Sequence, residues 1–186
     1  MRVTIPEDIP AGRIRASLED IEESYVENPL FLQSTTRKIV WAGFTKYISA
    51  WKAVENQYGD KLLLAAWISG SFISSKLNPE DIDISPIIQQ DALEHSGISS
   101  NRLKSLIGHR EKVRERYHVE PFPIRWRSIE STLIPERLPD DVKTYLAQRG
   151  AMDDWWQRSR PNPSIKQRPV APSRISSRGY LEVIFP

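Results

Sequence analysis

Asp81 and Asp83 stand two residues apart in Pro79-Glu80-Asp81-Ile82-Asp83-Ile84, where acid and isoleucine alternate. Alternation is the period of a half-buried strand. Side chains two apart on a strand share a face, roughly 6.5–7 Å from each other along the chain. Both carboxylates therefore project together while Ile82 and Ile84 anchor the strand. Carboxylates displayed side by side repel, and a pair of divalent cations about 3.5–4 Å apart is chemistry that needs them so. Just upstream, the apolar run Leu62 to Ile68 breaks at Ser69-Gly70-Ser71. Gly70 lets the backbone approach a phosphate, and Ser71 adds a hydroxyl donor beside exposed N–H groups. Lys76, the nearest cation in the connector, reads equally as a phosphate contact or as an ordinary loop lysine.

Gly-Ser, a spacer of about ten residues and then Asp-x-Asp resembles the signature of the polymerase-beta type nucleotidyltransferase superfamily. More narrowly, Gly70-Ser71-Phe72-Ile73 to Lys76 and Pro79-Glu80-Asp81-Ile82-Asp83 resemble a motif of small bacterial nucleotidyltransferase-like proteins. Ile9-Pro10-Ala11-Gly12 with Leu18-Glu19-Asp20-Ile21 is similar to that family's opening. Trp155-Trp156 and Arg178-Gly179-Tyr180-Leu181-Glu182-Val183 are similar to its close. The resemblance implies a Gly-Ser turn (Gly70, Ser71, with Lys76 nearby) that holds a nucleoside triphosphate donor. It also implies an Asp81/Asp83 pair on catalytic Mg2+ or Mn2+, and a third carboxylate on the neighbouring strand. Glu120 is the acid available there, between Val119 and Pro121. Hard oxygen ligands of this kind suit magnesium. The implied activity is transfer of a nucleoside monophosphate from an NTP to an acceptor hydroxyl on RNA, protein or a small molecule. The competing expectation is a catalytically inactive protein of the same fold, a nucleotide sensor or a toxin–antitoxin type partner. Neither the nucleotide nor the acceptor is specified.

Composition narrows the alternatives. The chain has 186 residues and no cysteine, which excludes thiol nucleophiles, disulfides and Cys-ligated zinc. Its length suits a single domain with a two-layer core. Met1 to Arg15 lacks the apolar segment of a secretory signal, and no apolar run approaches the roughly 20 residues of a membrane span, so a cytoplasmic setting is expected. The formal net charge of +2 is small, but basic residues cluster. Arg158, Arg160, Lys166, Arg168, Arg174 and Arg178 follow one another without an intervening acid. Arg102, Lys104, Arg110, Lys112, Arg114 and Arg116 form a second stretch, diluted by Glu111 and Glu115. Both suit phosphate-rich partners such as RNA, or a protein acceptor, although plain solvated surface accounts for most such residues.

The elements that must position these residues follow from periodicity and breakers. Residues 1–15 read as irregular, with Pro6, Pro10 and Gly12. Ser17 with Asp20 predicts a capping box opening a helix that Asn28-Pro29 stops. Ile39, Val40, Phe44, Tyr47, Ile48, Trp51 and Val54 predict an amphipathic helix from Thr35 to Tyr58, ended at Gly59. Residues 16–58 thus form a helical N-terminal part. Leu62 to Ile68 and Asp81 to Ile88 read as strands, the second broken or bent at Pro86, with a short helix from Phe72 to Ser75 between them. Residues 89–99 read as a polar connection, Asn101 to Tyr117 as one helix, and His118 to Ile124 as a third strand whose Pro121 and Pro123 limit its pairing. Asp141 to Gln148 reads as a short helix, Asp153 to Trp156 as a separate capped turn, and residues 157–178 as a basic Pro/Ser/Arg-rich loop. Gly179 to Phe185 reads as a closing strand at a sheet edge. The expected architecture is α+β: a mixed central sheet of three to five strands with helices on one face.

Overall fold

The computed structural model describes residues 9–129, 134–159 and 178–186. Its centre is a mixed six-stranded sheet in the order β1-β6-β2-β3-β4, with β5 also paired to β3. The strands are β1 (Gly12–Arg15), β2 (Leu63–Ser69), β3 (Ile82–Gln89), β4 (Val119–Pro121), β5 (Ile124–Trp126) and β6 (Gly179–Ile184). The fold is α+β with a mixed sheet, as the sequence predicts, but the strand count is higher for two reasons. Gly12–Arg15, expected to be irregular, pairs in parallel with β6. Hence β6 lies between β1 and β2 rather than at an edge, and its Tyr180 and Leu181 are fully buried. The expected single strand from His118 to Ile124 is divided in two. β4 pairs with Ile82 to Ile84 and β5 with Ile87 to Gln89, which leaves Phe122 and Pro123 opposite Ser85 and Pro86. Proline supplies no ladder donor, so a seam between Pro86 and the Pro121/Pro123 pair is where pairing has least to lose. β3 itself runs on unbroken through Pro86.

Among the described residues, six α-helices pack around the sheet: α1 (Leu18–Tyr25), α2 (Arg37–Tyr58), α3 (Gln90–His95), α4 (Ser100–Leu103), α5 (Arg110–Tyr117) and α6 (Asp140–Trp156). Ser17 and Asp20 form the predicted capping box on α1, typically about 1 kcal/mol for such a cap. α2 ends at Gly59, whose φ of 78° is left-handed, a conformation only glycine adopts freely. Val40, Phe44, Tyr47, Ile48, Trp51 and Val54 are buried, and α2 crosses the sheet face that carries Ile82, Ile84 and Val119. The expected helix from Asn101 to Tyr117 is interrupted by a π-helical turn, Lys104–Gly108. Gln90–His95, expected to be loop, is helical.

The expectation of helices on one face is corrected by α6, which runs unbroken through Gly150 and joins two segments read separately. On the opposite sheet face, Trp156 Nε1 donates to Ser85 Oγ at 2.9 Å, and Tyr180 hydrogen-bonds Asp153. Trp67, paired in register with Ser85, also points to this face and is 2% exposed. A face bearing Trp67, Ala65 and Ile87 needs an apolar cover, and the end of α6 supplies it.

Candidate active site

Strand register decides which acids meet. Ser69 at the end of β2 pairs with Asp83, and Asp83 pairs with Glu120 on β4. Register partners on adjacent strands point to the same face, so Asp83 and Glu120 stand side by side. Asp81, one pleat before Asp83, joins them at the same end of the sheet, while Ile82 and Ile84 are 0% exposed on the other face. All three acids are half-buried. The Asp81 carboxyl is held above the usual carboxylate range, first by burial and then by the neighbouring charge of Glu120. Arg114 and Lys76 act in the opposite sense. A carboxyl whose pKa is raised by burial and by a second carboxylate is a group short of positive charge.

Two arginines of α5 supply part of that charge. Arg110 lies 3.7 Å from Glu120 and Arg114 lies 3.9 Å from Asp81, with about half of each arginine side chain exposed. These are coulombic contacts rather than directed hydrogen bonds. Among the described residues, no three His, Asp or Glu side chains converge closely enough to hold an ion by themselves.

Gly70 borders the acids from the β2 side. Its φ is 75°, and a Cβ there would sit 1.8 Å from Asp83 Oδ2. The residue is glycine because the backbone runs directly against the carboxylate. Arg178 Nη2 donates to the Gly70 carbonyl at 3.1 Å. The following segment is a turn, not the expected short helix: Ser74 N donates to Ser71 O at 3.3 Å, and Ser74 Oγ donates to the same oxygen at 2.7 Å. Serine hydroxyls that take backbone carbonyls compete with helix formation.

What fixes this turn is Arg37, which sequence reasoning missed. Its guanidinium donates to the carbonyls of Tyr25 (3.0 Å), Phe72 (2.7 Å), Ser74 (2.8 Å) and Lys76 (2.6 Å), and it lies 3.6 Å over the Phe31 ring. It is 1% exposed, and burial lowers its pKa to about 10, so it stays charged at neutral pH. A signal was present: Arg37 falls in phase with Val40, Trp41 and Phe44 on the apolar side of α2. Asn78 pins the far end of the connector, accepting from Thr35 N at 2.9 Å. Lys76 is exposed, with its carbonyl on Arg37 and its charge near enough to Asp81 to favour the carboxylate.

Of the late basic residues, Arg158 is half-buried and bound to Asp154 at 2.8 Å. Arg160, Lys166, Arg168 and Arg174 lie outside the described residues. No described helix is long and apolar enough to cross a membrane.

Neither the curated proteins nor the solved structures contain a significant match to the chain. A family model does match, over residues 3–184. The chain therefore belongs to the family of unknown function DUF6932.

Proposed function

We propose that this protein is a metal-dependent nucleotidyltransferase of the cytoplasm. The observation that carries the reading is the register match of Asp83 with Glu120 on adjacent parallel strands, with Asp81 one pleat away and its carboxyl pushed up beside them. Asp81, Asp83 and Glu120 share one face and one end of the sheet, and carboxylate oxygens suit a hard divalent cation. Because the described acids do not converge to hold an ion by themselves, the phosphate oxygens of the substrate would have to complete its shell. Asp81, Asp83 and Glu120 would hold Mg2+ or Mn2+, which supplies charge neutralisation on the phosphates and activation of the attacking hydroxyl.

The chain's own residues do the positioning. The turn at Gly70 and Ser71, locked by Arg37 and Arg178, presents backbone N–H groups and the Ser71 hydroxyl to the triphosphate of the donor. Lys76 adds a point charge at its rim. The acceptor oxygen bonds to the α-phosphorus of the NTP, the bond from that phosphorus to the bridging oxygen of the β-phosphate breaks, and pyrophosphate leaves. The hydroxyl proton passes to water. Most of the acceleration in such a reaction comes from alignment and preorganised charge.

The test is incubation of the purified protein with each labelled NTP, magnesium or manganese, and extract of its host. A labelled product that Asp81→Asn and Asp83→Asn fail to make supports the reading. Wild-type protein that binds magnesium–NTP yet labels nothing overturns it. That result favours the second reading, a nucleotide sensor or toxin–antitoxin type partner of the same fold. The ion pairs of Arg110 with Glu120 and Arg114 with Asp81 speak for that alternative, because they offset part of the charge of two of the acids without metal.

A further inference from the structure

Arg110 and Arg114 are one helical turn apart on α5, and both rest on acids of the candidate site. Half-exposed pairs at 3.7 and 3.9 Å are weak contacts, screened by water and readily exchanged. Beside Arg110 opens a cleft of about 310 Å³, lined by Ile107, Arg110, Phe122, Pro123, Gln148 and Met152. Its volume is at the lower end of the ligand-pocket range, enough for one planar ring system. Phe122 is half-buried in its wall, and the Arg110 guanidinium lies 5.0 Å from the centre of that ring.

Strand order sets this cleft apart from the donor turn. The Gly70 turn leaves β2, the aspartates belong to β3, Glu120 to β4, and α5 leads directly into β4. The Gly-Ser turn and the arginine pair therefore flank the carboxylates on opposite sides. In an in-line displacement the leaving pyrophosphate and the attacking hydroxyl also lie on opposite sides of the reacting phosphorus. The flank that the donor does not use is the acceptor's.

We propose that Arg110 and Arg114, with the cleft walled by Phe122 and Met152, form the acceptor subsite, and that the acceptor is a nucleotide: a base in the cleft and a phosphate on the two guanidinium groups. This rests on the nucleotidyltransferase reading and names its substrate class. Two guanidiniums one turn apart match a phosphate in charge and geometry, and a base stacks on aromatic and guanidinium planes. The arrangement also couples the ligands. Without a cation the arginines are held by Glu120 and Asp81. A divalent cation on those carboxylates releases both guanidinium groups to the phosphate, so magnesium and the acceptor bind cooperatively, each tightening the other.

The experiment measures equilibrium binding of two probes, a 5′-mononucleotide and a short single-stranded RNA with a free 3′-hydroxyl, each with and without magnesium. Magnesium is expected to tighten at least one probe in wild type. In Arg110→Gln/Arg114→Gln, affinity in magnesium falls roughly tenfold or more, the loss expected for a charge-assisted contact. The magnesium dependence disappears in the same variant. Lys112→Ala, an exposed change on the same helix, leaves both readouts unmoved. RNA binding alone identifies a nucleic-acid end as acceptor, and mononucleotide binding alone identifies a small one; either supports the subsite. Unphosphorylated nucleoside bound as tightly as the mononucleotide would remove the role of the arginines. The proposal is overturned if neither probe binds, if magnesium leaves binding unchanged, or if the double variant binds as wild type does. The underlying function fails by a separate measurement: a magnesium–NTP thermal shift that persists in Asp81→Asn/Asp83→Asn.

Discussion

Removing the Arg37 guanidinium should be the most damaging single change to the turn beside the acids. Arg37→Met keeps the length and the apolar stem but leaves the carbonyls of Tyr25, Phe72, Ser74 and Lys76 without their donors. The Ser74 and Lys76 bonds are part-buried, so water recovers much of their loss. Those to Tyr25 and Phe72 are buried, and a buried acceptor stranded without a partner costs about 1–3 kcal/mol. Loss of the contact over the Phe31 ring adds about 0.5–2 kcal/mol. Against this, the variant no longer desolvates a charge. The net expected loss is about 3–4 kcal/mol, near the low end for disrupting a buried charged network. Arg37→Lys should recover only part of it, because one ammonium cannot reach four separated carbonyls in the fork geometry of a guanidinium. Urea denaturation followed by tryptophan fluorescence measures the loss, and hydrogen exchange over residues 71–77 reports whether the turn itself loosens. A Met variant within about 1 kcal/mol of wild type, or exchange in that segment left unchanged, would refute the assignment of Arg37 as its clamp.

Three further perturbations follow from the geometry. Gly70→Ala places a Cβ 1.8 Å from Asp83 Oδ2 at a φ of 75°. It should cost about 1–2 kcal/mol in backbone strain alone and should weaken magnesium binding as Asp83 is displaced; calorimetric titration checks the second effect. Asp81 has a raised folded-state pKa, so the folded state binds more protons than the unfolded one just above the ordinary carboxylate range, and stability falls as pH rises through that window. Asp81→Asn should therefore stabilise the metal-free protein at neutral pH, with the gain shrinking as pH drops toward 4; melting temperatures across pH 4–8 test the sign. Trp156→Phe leaves Ser85 Oγ, on a residue 0% exposed, without its indole donor. The expected cost is about 1–3 kcal/mol, with faster exchange in α6 if that bond docks the helix.

The sequence by itself determined the parts whose signals are local. Period-two alternation around Asp81 and Asp83, the Gly70 break, the Ser17/Asp20 capping box and the apolar stripe of α2 are written in consecutive residues, and each stands where it was expected except Ile39, which the stripe includes and the fold leaves exposed. The same holds for the difficulty of pairing around Pro121 and Pro123, which emerges as the division between β4 and β5. What tertiary structure decided is which distant residues share a face and who supplies their counter-charges. Nothing local in Glu120 says that it stands in register with Asp83, because register is set by pairing across the sheet. The parallel β1–β6 pairing joins residues more than 160 positions apart, so Gly12–Arg15 looks irregular until its partner is known. The sequence marks Tyr145 as an inward residue of a short helix, but not that α6 continues unbroken to Trp156, which docks on Ser85 of the second sheet face. Arg37, Arg110, Arg114 and Arg178 look alike as cations in the chain. Only the folded protein makes one a buried clamp on four carbonyls, two the partners of the site's acids, and one the anchor of Gly70, because the worth of a charge depends on burial and neighbours, not on its residue type.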